Sequence, residues 1–152
     1  MRDGSLRDAY AAHAVDQVPR ILSSIDRNPQ SPTYGCFHRD YWLDKTSDFA
    51  DAVRQFGVHA LALLYTREFP GNIYKAEPQI LEWTLAGLRF WASIQHNDGS
   101  FDEFYPYERG WCGPTAFTTY TAAASLKLLG AETDADRDVV VRGAIEASAR
   151  FI

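Results

Sequence analysis

This sequence has little sulfur: two cysteines and one methionine. Cys36 and Cys112 stand far apart, with none of the paired spacing of a metal site. Buried free thiols are the plain expectation, and a disulfide joining their two loops is the alternative. A phosphate-binding glycine loop, a dinucleotide fingerprint and an HExxH-type metal site are all missing. No serine sits in a nucleophile elbow. The residues therefore call for no metal and no cofactor. No apolar run is long enough to span a bilayer, and "MRDGSLRDAY" lacks the apolar core of a signal peptide. The expectation is a soluble chain, cytoplasmic by default. Positive charge is scarce as well. A net charge of -5 and a pI near 5.3 argue against nucleic acid or an anionic membrane as the main partner.

What is present is apolar and aromatic. Of 152 residues, 46% are hydrophobic and 14% aromatic, enough for one packed domain. Alternating strand patterns are absent and helical spacing dominates, so the chain reads as all-α. Leu6, Tyr10, Ala14, Val18, Leu22 and Ile25 recur at helical intervals, with Pro19 set to kink or split that helix. Ser47 or Asp48 can cap a second helix whose stripe is Phe49, Val53, Phe56, Ala60 and Leu64. Pro78 suits the first turn of a third, with Leu81, Leu85, Leu88, Trp91 and Ala92 facing inward. Gly113 and Pro114 open a fourth, with Phe117, Tyr120, Ala124 and Leu128 inward and Gly130 as its stop. Thr133 caps a fifth carrying Val140, Ala144, Ile145, Ser148 and Phe151. Asp134, Asp136 and Asp138 sit at its start, where the helix dipole favours acids.

Two stretches repeat. "AGLRFW" aligns its Arg89-Phe90-Trp91 with Arg150-Phe151-Ile152, and "ALALLY" aligns with "AASLKLL". The units are helical hairpins of about sixty residues, the kind that stack because one alone cannot bury its apolar face. The fifth helix has no stop signal. The expectation is a single helical-array domain over 1–152 that forms the N-terminal piece of a longer protein. The alternative is an oligomer contact covering the open end.

Two polar-aromatic loops precede helices: "YGCFHRDYWLDKTSD" and "DGSFDEFYPYERGWCGP". In a layered array the second and fourth helices run in the same direction, which sets these loops side by side. The candidate residues are His38, Arg39, Asp40, Tyr41, Trp42, Lys45, Asp98, Glu103, Tyr105, Tyr107, Glu108 and Arg109. Rings stack on sugar faces, while carboxylates and guanidiniums bond to hydroxyls. A structural account stands beside each. Asp98 caps the Asp98-Gly99 turn, a lone His38 is a structural hydrogen-bonder, and Arg39-Asp40 and Glu108-Arg109 pin the loops as ion pairs.

Together "YGCFHRDYWLDKTSDF", "FPGNIY", "AGLRFWASIQHNDGSFDEFYPYER" and "TAFTTYTAAASLKLL" resemble the N-terminal helical region of bacterial heparinase II/III-like proteins. The resemblance runs from about Ser31 to Gly130. It implies an incomplete (α/α) toroid followed by a β-sandwich, and β-elimination on uronate-containing polysaccharides, with an acidic polysaccharide or oligosaccharide as partner. The family's "DG…E…Y" segment matches Asp98, Gly99, Glu103 and Tyr107, which makes Tyr107 the proton donor by resemblance. The family's motif has His after that Tyr, where this chain has Glu108. The Asn and His of the later toroid and the β-sandwich have no counterpart within this chain. His38 and Tyr41 are the remaining acid–base candidates. "RFWASIQHNDGSF" also looks like the glutamine-tryptophan repeat of terpene cyclases. Phe101 stands where that motif has Trp, and neither acid motif of the cyclases is present, so this reading ranks below the lyase. A helical module that binds a sugar or a protein without turnover is the rival from another class.

Overall fold

Pro78 and Gly130 bracket the long helices, each for a backbone reason. In the computed structural model, which describes residues 6–107, 111–133 and 138–152, Pro78 is in the first turn of α5 (Pro78–Ser93). Its missing N–H costs nothing there. Gly130 ends α6 (Cys112–Leu129), taking φ 55 while its N–H bonds to the Leu126 carbonyl. The chain begins with α1 (Leu6–Asp16) and α2 (Val18–Ser24), split at Gln17 just ahead of Pro19. A one-turn α3 (Arg39–Trp42), α4 (Gly57–Thr66) and α7 (Val139–Phe151) complete seven α-helices among the described residues, which contain no strand.

The second helix begins later than its sequence suggests. Ser47 and Asp48 do not cap it. Asp51 takes that role, its carboxylate accepting from the N–H of Val53 at 2.9 Å and starting a 3-10 turn over Ala52–Phe56. Nor does Thr133 cap the last helix, which starts at Val139 after the buried Asp138. Asp134 and Asp136 lie outside the described residues.

Helices α4 and α5 form one hairpin and α6 and α7 another. Each helix of one hairpin packs on one of the other, α4 on α6 and α5 on α7. The core between them includes Val58, Leu61, Leu88, Trp91, Phe101, Leu126 and Val141. The buried Gln55 is a polar link within it. Its Nε2 donates to the carbonyls of Gly35 (3.1 Å) and Gly87 (3.0 Å), and its Oε1 accepts the N–H of Phe37 (2.7 Å). One amide so joins the first loop, the 3-10 turn and α5, with both its donors and its oxygen partnered, which offsets the cost of burying it.

Several expected faces point elsewhere. On α6, Phe117 and Tyr120 are 65% and 75% exposed, while Thr115, Thr118, Ala122, Ser125 and Leu126 are buried. Leu6, Tyr10, Phe56 and Val140 are likewise exposed. Two of the buried hydroxyls bond within the helix, Thr118 donating to the Pro114 carbonyl (2.8 Å) and Ser125 to that of Thr121 (2.7 Å), whereas that of Thr119 has no partner among the described residues. Their small volume lets α4 approach closely. Cys36 is buried and its thiol is pushed up to about 12 by that burial, whereas Cys112 is exposed; both are free. No described helix is long and apolar enough to cross a membrane.

Candidate functional site

The two polar-aromatic loops meet. The N–H of Ala52 donates to the carbonyl of Asp102 at 3.0 Å, stitching the end of the first loop to the second. Beside that bond lies an open cleft of about 280 Å³. Tyr41, Asp48 and Phe49 line it from the first loop, and His96, Asp102 and Tyr107 from the second.

The first loop is held from below. His38 is buried, and its Nδ1 accepts the N–H of Asp51 at 3.1 Å. In the neutral ring the proton therefore sits on Nε2, 3.8 Å from Asp40 Oδ2. Burial lowers the His38 pKa, and the nearby Asp51 carboxylate only partly opposes it. The ring packs against Tyr41 and Phe49, centroids 6.5 and 6.4 Å away, so His38 stands behind the cleft wall and supports both rings. Lys45 holds its ammonium 5.9 Å from the Tyr41 ring centre, within cation–π reach.

The second loop turns back on itself at Asp98-Gly99. The Asp98 carboxylate accepts from the N–H and hydroxyl of Ser100 at 3.0 and 2.6 Å, and Gly99 takes φ 91. A Cβ at Gly99 would lie 2.6 Å from the Ala147 carbonyl oxygen, so only glycine lets the turn seat against α7. That reversal returns the chain over His96 and brings Asp102 Oδ1 to 2.9 Å from His96 Nε2, both side chains largely buried. The carboxylate lies off the N–H axis, since Nε2 makes no hydrogen bond of proper geometry, and the pair becomes an ion pair only when the imidazole carries a second proton. The Tyr107 ring lies 5.9 Å from the His96 ring, 73% exposed and with φ 61. A tyrosine in the left-handed region carries backbone strain of the kind that gathers at functional sites.

Of the sequence candidates, then, Tyr41 and Tyr107 share the cleft, with His38 behind it and Lys45 over Tyr41. Trp42 serves a different purpose, donating its indole N–H to the Ser24 carbonyl at 2.8 Å and tying the loop to α2. Arg39 pairs with Asp44 (3.3 Å). The Asp40 carbonyl accepts from Thr46 and Ser47, closing a tight loop. Asp98 caps its turn. Glu103 is half-buried and Tyr105 exposed, and neither lines the cleft. Glu108 and Arg109 lie outside the described residues. Sequence reasoning missed His96 with Asp102, and also Asp48 and Phe49. The available signal was a His and an Asp flanking a glycine turn, which folds the two onto each other.

Among the described residues no three His, Cys, Asp or Glu side chains gather as metal ligands. The cleft offers the exposed phenol of Tyr107, an imidazole against a carboxylate, and the half-buried rings of Tyr41 and Phe49, a set suited to proton transfer and ring stacking. Comparison with family models, with curated proteins and with solved structures returns no match.

Proposed function

We propose that this chain is a glycan-active helical module of the polysaccharide lyase kind, acting on uronate-containing polysaccharide by β-elimination in the cleft between the two loops. One observation carries the reading. Tyr41, Phe49 and Tyr107 surround a His96–Asp102 pair in a single cleft assembled from two distant segments. A partial (α/α) toroid of stacked helical hairpins is the architecture that accompanies it. The packing of the α4–α5 hairpin on the α6–α7 hairpin supports that architecture.

The chemistry follows from the groups available. The neutral imidazole of His96 takes the proton from C5 of the uronate, and the Asp102 carboxylate beside it offsets the charge the ring gains. Electrons of that C–H bond form the C4–C5 double bond, and the C4–O bond breaks with its pair going to the leaving oxygen. Tyr107, exposed at the cleft mouth, supplies the proton to that oxygen. Lys45, whose ammonium lies over the Tyr41 ring, offsets the uronate carboxylate, whose charge otherwise keeps the C5 proton weakly acidic.

Asp48 and Asp102 favour a second reading, because both carboxylates face the same cleft and repel an anionic sugar. On that account the cleft binds a neutral sugar without turnover. Absorbance at the unsaturated-uronate wavelength, followed with a panel of acidic polysaccharides, separates the two. A signal abolished by Tyr107→Phe supports elimination. No signal on any substrate, with calorimetric binding of a neutral oligosaccharide, selects the binding module.

A further inference from the structure

Helix α1 buries none of its residues, yet it has a consistent inner face. Arg7, Ala11, Ala14 and Val15 fall at helical intervals and line a groove whose opposite wall is α4 and the segment after it. The groove measures about 560 Å³, well within the range of small-molecule sites. Alanines are too short to reach across to Leu63 and Leu64, so helix and body stand apart over an apolar gap. An eleven-residue helix is not held by its own hydrogen bonds, and burial of this face is what would hold it.

Among the described residues, the charged side chains that line the groove are Arg7 and Arg67, and no carboxylate lines it with them. That is notable in a chain whose net charge is -5. Arg67 is also fixed at its backbone. Its N–H bonds to the Leu63 carbonyl (2.9 Å) and its carbonyl accepts from Asn72 Nδ2 (2.8 Å). Two guanidiniums beside an apolar trough complement a ligand with an anionic head and an apolar tail.

We propose that the groove between α1 and α4 binds an anionic amphiphile, a carboxylate on a straight apolar chain. The head sits on Arg7 and Arg67, and the tail lies over Val15, Leu63, Leu64 and Phe69. Occupancy fills the gap and clamps α1 to the body.

Isothermal titration of the whole chain with decanoate, octanoate and decanol, each below its aggregation limit, tests this. The expected result is one saturable site for decanoate, about fourfold weaker for each methylene removed. Decanol binds about tenfold weaker than decanoate because it lacks the charge-assisted bonds. The Arg7→Gln/Arg67→Gln double variant, altered only at exposed positions, loses that tenfold for decanoate and keeps the affinity for decanol. Absence of a saturable site overturns the proposal, as does a double variant that binds decanoate like the parent chain. A dimer in sedimentation that Leu63→Arg dissociates would assign the groove to a second copy and overturn it equally.

Discussion

The N–H of Ala52 bonds to the carbonyl of Asp102 at 3.0 Å, and this one backbone bond joins the two loops that form the cleft. Ala52 is fully buried at the start of the 3-10 turn. Asp102 uses its main chain for that bond and its side chain for His96. Architecture and chemistry are therefore separable at this residue.

Asp102→Asn uses that separation. It keeps the backbone bond and removes the charge beside His96. The expected outcome is unchanged thermal unfolding and a loss of about 10²–10⁴-fold in turnover, if the imidazole is the base. Rate assays beside a melting curve check it. An unchanged rate would remove the pair from the mechanism.

Tyr41 and Trp42 are neighbours with opposite expected behaviour. Tyr41→Ala takes a ring from the cleft and should weaken oligosaccharide binding by about 1 kcal/mol. Trp42→Phe loses the bond to the Ser24 carbonyl, and should lower unfolding free energy by about 1 kcal/mol while leaving sugar affinity alone. Calorimetry and urea denaturation on both variants distinguish the roles.

Gln55→Leu leaves the carbonyls of Gly35 and Gly87 and the N–H of Phe37 without their partner. A loss of roughly 3 kcal/mol is expected in urea denaturation. Gly35→Ala should cost at least about 3 kcal/mol. Gly35 takes φ 91, and a Cβ there would lie 2.3 Å from the Ala86 carbonyl.

Burial lowers the pKa of both His38 and His59. His59 donates from Nδ1 to Ser125 Oγ at 3.2 Å, because that hydroxyl spends its own proton on the Thr121 carbonyl. A histidine whose folded pKa is depressed contributes stability present above its unfolded value near 6.5, lost as pH falls through the folded value. Unfolding free energy should therefore fall from about pH 7 to about pH 5. The buried Asp51, whose pKa is raised, works in the opposite direction, with its stability lost as pH rises above the ordinary carboxylate range. His38→Asn with His59→Asn should flatten the slope between about pH 7 and pH 5. A slope unaltered in the double variant would assign the dependence to other groups.

The chain's punctuation was legible in the sequence, since proline and glycine act through their own backbones. Pro19 splits the first helical stretch, Pro78 opens α5, Gly130 closes α6, and Asp98-Gly99 turns. The all-α class was legible for the same local reason, a periodicity that needs no partner to be read. The meeting of the loops was anticipated only through the direction of the helices they lead into.

Burial and the pairing of site groups were decided by the tertiary structure. Around α6, apolar and small residues occur on every side, so hydrophobicity alone selects no face. Thr118 and Ser125 went inward because a small side chain whose hydroxyl bonds locally admits α4 closely, Thr115 because its hydroxyl accepts the Phe101 N–H, while Phe117 and Tyr120 are too large for that seam. His96 found Asp102 only because a glycine turn seated on α7 brings the chain back over itself. Local propensity determines where this backbone bends, and the volume between neighbouring helices determines what it hides.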